Sequence, residues 1–293
     1  EWQIKFEIGF APNNANQLEK YLLAKNISTE KMIEAGLVAK SDDGKKTYDR
    51  FRNRIIFPIK DIRGKTIAFG GRALDPNAPA KYINSPESSL FDKGRTLYNF
   101  KNARDNLKKN NHLIVAEGYM DVIALTVAGF NASVAPLGTA ITENQLRLLW
   151  RLTDEPVIAL DGDKAGISAA MRAIDLALPL LTIGKSLRFA VLPQGQDPDD
   201  IIKSDGKERM DEIIQNAVPM IDLLWQRALE GRNLDSPDRR AAFDASLKNI
   251  TKKILEPTIR NHYFAALKTK RSNLLRSTGV TKSTLVIKNK KST

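Results

Sequence analysis

The sequence predicts an α/β fold: a mostly parallel sheet, preceded by a mixed α+β segment rich in basic residues and followed by a helical segment. Three observations carry that prediction. From residue 112, short apolar runs rich in β-branched residues alternate with stretches of helical period, and such alternation with short connections builds a parallel sheet covered on both faces. Before it, residues 45–110 hold two strand-like runs flanking a tight turn, which reads as a hairpin. Beyond about residue 199 the apolar spacing is helical throughout. The expected division is 1–110, 111–200 and 201–293.

Each element has a local reason. "NNANQLEKYLLAKNI" is helical in period, and Ser28 or Thr29 is placed to cap the helix "STEKMIEAGLV". "RIIFPIKD", the turn "RGK" and "TIAFGGRAL" form the hairpin, with Gly70 and Gly71 permitting close approach to the backbone. "DPNAPAKYINSPESS" is a Pro/Asn/Ser loop. "HLIVAEG" begins the parallel region, and "YMDVIALTVAGF" is a helix that closes at Gly129. "NASVAPLG" is a strand, Thr142 caps "ENQLRLLWRL", and "PVIAL" is the third strand. "GISAAMRAIDLALPLL" is a helix, and "SLRFAVL" is the fourth strand. "PDRRAAFDASLKNITKKIL" and "TIRNHYFAALKTKRSNLL" are the clearest later helices. The tail "STGVTKSTLVIKNKKST" has little periodicity and is expected to be mobile; no internal repeat is present.

Composition narrows the function classes. The 293 residues, 42% hydrophobic and 27% charged, suit a folded protein with room for more than one domain. No apolar run approaches a membrane span and the start lacks a signal-peptide pattern. Cysteine is absent, which excludes disulfides and thiolate metal sites, and two histidines, His112 and His262, leave little for a zinc site or a Ser/His/Asp triad. The chain opens on Glu1 and not Met, so it is expected to be a fragment or a processed form. The net charge of +12 is unevenly spread: residues 45–110 carry 16 Lys or Arg against 6 Asp or Glu, and residues 251–293 carry 11 against 1. Residues 111–250 carry 14 against 20. Basic flanks attract polyanions, whereas clustered acids repel phosphate unless a cation stands between them.

Those acids fall at strand ends. Glu117 follows "LIVA", Asp121 lies four residues later, Asp161 and Asp163 follow "VIAL", and Asp197, Asp199 and Asp200 follow "RFAVL" after a short loop. In open parallel sheets ligands bind beyond the carboxyl ends of the strands. Unpaired carboxylates at such range raise one another's pKa values, and hard divalent cations with oxygen ligands resolve the conflict. Taken singly, Asp163 and "DPDD" also read as helix caps. "DGDKAG" begins like an EF-hand loop, but Arg172 stands where the bidentate Glu belongs. "IGKS" ends like a P-loop, but Pro179 replaces the required Gly. On the basic side, Arg50, Arg52 and Arg54 alternate in "RFRNR", so in a strand they project from one face and argue for phosphate. Tyr82 is placed either to stack on a base or to pack in the core.

"EGYMDV", "ALDGDKAG" and "GQDPDD" together resemble the TOPRIM metal-binding pattern. "YDRFRNRIIFPIKD", "GKTIAFGGR", "PAKYINSPES", "FDKGRTLYNF" and "IKFEIGFAP" resemble the bacterial replicative primases of DnaG type, across roughly residues 1–260. The resemblance implies a central TOPRIM domain and template-directed synthesis of short RNA primers on single-stranded DNA from ribonucleoside triphosphates, passing through an RNA–DNA hybrid. It implies Glu117, Asp121, Asp161, Asp163, Asp197 and Asp199 as the acids that gather Mg²⁺ or Mn²⁺, more than one ion, with Glu117, Asp161 and Asp163 catalytic. Glu117 is either a general base or a ligand only. Arg50, Arg52, Arg54, Arg72, Lys81 and Lys93 are implied for template and nucleotide. The family's zinc module, lacking cysteine here, and its helicase-interaction domain are expected to be missing from this chain, so no zinc is assigned. A cytoplasmic protein at the replication fork, without membrane contact, is implied. The other readings are a different TOPRIM enzyme, a topoisomerase or nuclease, or a non-catalytic nucleic-acid-binding module. The topoisomerase needs a nucleophilic Tyr in a separate large domain. The binding module leaves the acids at three strand ends unexplained.

Overall fold

The computed structural model describes residues 2–107, 112–138 and 140–277; the tail expected to be mobile lies, from residue 278, outside them. The chain divides into two compact units, residues 1–173 with 186–218, and residues 174–185 with 219–293.

The first unit opens with α1 (Trp2–Lys5), β1 (Gly9–Ala11), α2 (Gln17–Leu23), α3 (Thr29–Glu34), β2 (Val38–Lys40) and β3 (Thr47–Asp49). Ser28 is the cap of α3, its side chain accepting the Lys31 N–H. β4 (Arg54–Lys60), β5 (Thr66–Ala73) and β6 (Tyr82–Asn84) complete an antiparallel sheet in the order β1-β4-β5-β6. β4 and β5 form the expected hairpin, with Phe57 opposite Gly70 and Ile55 opposite Arg72. Its turn needs Gly64, whose φ is +88°. α4 (Phe100–Asn106) leads to the second sheet.

That sheet contains β7 (Ile114–Val115), β8 (Ser133–Val134), β9 (Val157–Leu160), β10 (Arg188–Val191) and β11 (Val218–Pro219), in the order β11-β10-β9-β7-β8. The β7–β8, β7–β9 and β9–β10 pairs are parallel. α5 (Tyr119–Val127), α6 (Glu143–Leu152), α7 (Lys164–Ala177), α8 (Pro198–Ser204) and α9 (Gly206–Gln215) connect the strands. All four residues of β9 are buried, as expected of a central strand covered on both faces. α5 closes at Gly129, at φ +101°. Thr142 and Gln145 form a reciprocal capping box at the start of α6.

The first unit ends later than the boundary expected at residue 200. Ile201, Met210, Ile213 and Ile214, from α8 and α9, join the same hydrophobic core as Ile114, Val122, Val157 and Ala190. Their apolar face therefore belongs to the parallel sheet. The second unit holds α10 (Met220–Leu229), α11 (Pro237–Lys252) and α12 (Pro257–Ser277) around a small core of Ala228, Phe243, Leu247 and Leu267. Asp175 pairs there with both Arg227 and Lys253. Among the described residues no helix is long and apolar enough to cross a membrane.

Candidate active site at the parallel sheet's carboxyl edge

Parallel register brings the acids to one edge. Ile114 and Val115 lie beside Val157 and Ile158, so Glu117 arrives level with the end of β9, where Asp161 follows. The Asp161 amide donates to Glu117 Oε1 at 3.4 Å. Gly162 explains why "DGD" has glycine at its centre. A Cβ there would stand 1.8 Å from the Pro193 carbonyl oxygen, backbone that cannot swing away. In its place two backbone bonds form, Gly162 N to Gln196 O and Gly195 N to Gly162 O. They stitch the loop after β9 to the loop after β10 and deliver Asp197 to the same edge. Gly166 works similarly: its Cβ would lie 2.2 Å from the Asp161 carbonyl oxygen.

The acids also hold helix starts, as the capping alternative anticipated. Asp163 Oδ1 accepts the Gly166 N–H at 2.7 Å at the start of α7. Asp197 and Asp200 accept each other's amides at the start of α8. Asp121 Oδ2 accepts the Gly118 N–H. Helix N-termini favour negative charge, which offsets part of the cost of gathering it. Asp199 is the exception, held by Lys203 at 2.6 Å. Among the described residues no three acids already converge on a single coordination point; they line a shared edge.

Their electrostatics differ from those of ordinary surface acids. Burial, followed by repulsion from Asp197 and Asp161, pushes Asp121 up to about 7. Burial also leads for Asp161, which Glu117, Asp197, Asp163 and Asp200 help push to about 7. Glu117 is raised too, chiefly because neighbouring atoms withhold water from its carboxyl; the Asp161 N–H and Arg172 oppose this and Asp163 adds to it. Asp161 Oδ1 is buried without any hydrogen-bond partner. A buried carboxylate oxygen with no donor, surrounded by like charge, fits a divalent cation.

The antiparallel sheet treats its cations otherwise, and the expected arginine face does not form. Residues 50–53 are not strand, and Asn53 turns left-handed at φ +50°, which breaks the alternation. Arg54 is buried, and its guanidinium donates to the carbonyls of Gly71, Lys81 and Ala80. It braces the sheet and is removed from the template surface. Arg50 Nε donates to the Asn84 carbonyl and the Arg52 guanidinium lies 5.1 Å from the Tyr48 ring centroid. Nor do the glycines open the backbone to a ligand. A Cβ at Gly70 would stand 2.5 Å from the Tyr119 hydroxyl, and one at Gly71 would stand 2.7 Å from Phe51. Tyr119 stacks on Phe57 at 5.0 Å and donates to Asn84 Oδ1 at 2.7 Å. The Tyr of "EGYMD" thus plugs the start of α5 into the antiparallel sheet.

Arg72 and Lys81 remain on the surface side, each 5.9 Å from the Tyr82 ring. Burial raises the Tyr82 pKa, Arg72 opposes it, and Asp121, Asp197 and Asp199 add to it. The half-exposed ring therefore lies in the field of both the cations and the acid edge. Lys93 begins a tight turn whose carbonyl accepts from buried Gln145 Nε2, a residue of the α6 capping box. Two residues outside the implied ligand set act on it: Arg172, whose charge favours ionised Glu117, and Asp200, whose charge helps raise Asp161. Asp200 was legible as the third acid of "DPDD"; Arg172 stood in view only as the residue that spoiled an EF-hand.

Comparison with known proteins gives a consistent set of matches. Residues 1–104 match the family model of the DNA primase catalytic core, N-terminal domain, and residues 111–189 that of the Toprim domain. The DNA primase of Rickettsia conorii is 42% identical over 264 residues, covering 90% of this chain and 44% of that protein. The DNA primase of Escherichia coli is 40% identical over 256 residues, covering 87% and 44%. Among solved structures, the DnaG primase catalytic domain bound to ssDNA matches with a TM-score of 0.83 at 38% identity, covering 92% of this chain and 86% of that one. The chain spans less than half the length of the two full primases it matches.

Proposed function

The chain belongs to the DnaG primase family, as its catalytic core, and from that premise we propose that it synthesises short RNA primers on single-stranded DNA from ribonucleoside triphosphates. The observation that carries this reading is the unpartnered Asp161 oxygen among carboxylates raised by burial and by one another. Asp161, Asp163, Glu117, Asp197 and Asp199 would hold Mg²⁺ or Mn²⁺, more than one ion, with Asp121 either a ligand or a support held at the Gly118 amide. Bound there, the cations would neutralise the triphosphate and polarise the phosphoryl oxygens.

The remaining work falls to this chain's side chains. Glu117, whose carboxyl has a raised pKa, takes the proton from the attacking 3′-hydroxyl. Arg72 and Lys81 grip phosphate beside Tyr82, whose exposed ring face offers a base a stacking surface. Arg50, Arg52 and Lys93 extend the cationic side along the path of the template and the nascent hybrid. The sequence offers no cysteine for a zinc site, and the replicative helicase would be met through residues outside these 293, at the replication fork in the cytosol.

A single-stranded template, ribonucleotides and Mg²⁺ or Mn²⁺ test the reading. Short RNA is the expected product, absent with Asp161→Asn and with Glu117→Gln while circular dichroism shows the fold intact. Undiminished synthesis in both variants would remove the site assignment.

A further inference from the structure

The segment before α4 is laced to the parallel sheet and to the helix that follows β8. Tyr98 and Ala135 exchange backbone bonds, the Tyr98 N–H donating at 2.8 Å and the Ala135 N–H at 3.4 Å. Asn99 Nδ2 donates to the Ser133 carbonyl at 3.0 Å. Beyond them the lacing is done by side chains of α6 and its cap. Gln145 Nε2 donates to the Lys93 and Thr96 carbonyls, each at 2.8 Å, and the Thr142 hydroxyl donates to the Gly94 carbonyl.

This is more than a capping box requires. At the third helical position Glu closes the box as well as Gln, because only a side-chain oxygen is used, here accepting the Thr142 N–H at 3.1 Å. Gln differs from Glu in its two N–H donors, and both of those in Gln145 go to the neighbouring turn. Gln145 has no solvent exposure, so without that amide the two carbonyls would lose donors that water does not readily replace. The turn held in this way is Lys93–Arg95, itself capped by Asp92. Arg95 pairs with Asp92, whereas among the described residues no carboxylate pairs with Lys93. Ile141, next in sequence to Thr142, lines the crevice that also contains Glu117. The fold thus fixes the lysine's backbone from the side of the acid edge and leaves its charge without a partner.

We propose that Gln145 and Thr142 are positioning residues for Lys93: they hold the turn so that the lysine ammonium meets a template phosphate in a set place. The inference rests on the reading of Lys93 as a template contact. Ordering the backbone beforehand removes a cost from binding, and a supporting shell of this kind decides how closely a charged group is held.

The test is a double-mutant cycle on the whole chain, with a fluorescein-labelled single-stranded DNA followed by anisotropy at several salt concentrations. Lys93→Met is expected to weaken binding about fivefold and to lower the salt slope by about one contact. Gln145→Met, which keeps the length of the side chain and removes the amide, should weaken binding by a similar factor alone and add nothing in the Lys93→Met background. Thr142→Asp keeps the cap but cannot donate to Gly94, and it decides the matter where Gln145→Met fails to fold; its effect should shrink in the Lys93→Met background. Thr142→Ser, which retains both bonds, should bind as the unaltered chain does. Additive losses in the cycle overturn the inference and leave the template reading standing. So does unaltered binding in Gln145→Met and Thr142→Asp beside weakened binding in Lys93→Met. Unaltered binding in Lys93→Met removes the template reading of that lysine, and this inference with it.

Discussion

The two sheets of the first unit handle charge in opposite ways. In the antiparallel sheet Arg54 is buried among three backbone carbonyls and Arg50 donates to a fourth, while Arg72 and Lys81 stay on the surface side beside the Tyr82 ring. At the parallel sheet's edge burial, and after it repulsion from other carboxylates, drives Asp121 and Asp161 to about 7. Asp175 in the second unit marks the ordinary case, lowered by Arg227 and Lys253 against the opposing effect of burial. The difference teaches where to look for chemistry. A charge with partners on all sides holds the fold together, while a charge the fold leaves in conflict awaits something from outside.

Substitutions that exchange these two conditions sharpen the contrast. Asp161→Asn and Glu117→Gln should each lower primer synthesis about 100-fold or more, measured as RNA formed per enzyme, since each removes a group acting on the reacting phosphate or hydroxyl. Asp161→Asn should at the same time raise the melting temperature in EDTA at pH 8, because repulsion is relieved. Gly162→Ala should destabilise by about 1–3 kcal/mol through overpacking against Pro193 and cost activity as well, read by denaturant titration beside the primer assay. Arg54→Met should cost about 2 kcal/mol, as three carbonyls lose a charged donor. Arg72→Ala should leave stability unchanged and reduce the salt dependence of single-stranded DNA binding by about one phosphate contact. Equal stability loss in the two arginine variants would erase the distinction.

The conflict among the acids should also show in the pH dependence of stability. Asp121 and Asp161 have native pKa values raised from 3.8 to about 7. The native state therefore holds more protons than the unfolded state between those values. Metal-free stability should fall as pH rises through that window, and Asp161→Asn should flatten the decline. Denaturation midpoints in EDTA across that range check the sign.

Much of this was legible in the chain. The strand–helix alternation from residue 112, the β4–β5 hairpin, the caps at Ser28 and Thr142 and the stop at Gly129 are local features, and local chemistry places them. The acids were legible because Glu and Asp after buried runs are out of place. Two features were hidden for physical reasons. "RFRNR" alternates like a strand, but left-handed Asn53 interrupts it, and a single backbone excursion leaves no periodic signal. Gly70 and Gly71 read as room for a ligand, whereas the room is filled by Tyr119 and by Phe51, contacts set by tertiary packing. The extent of the first unit was hidden too, since the apolar faces of α8 and α9 reveal a helix and not which core receives it.

The most direct measurement follows the carboxyl carbons of Asp121 and Asp161 by ¹³C NMR through a pH titration, with and without Mg²⁺. Both should titrate near 7 in EDTA and remain ionised down to about pH 5 once Mg²⁺ is bound, since a bound cation favours the charged form. Titration of both near 4 in EDTA, or no change on adding Mg²⁺, would contradict the claim that this edge holds its charges in conflict for a cation to resolve.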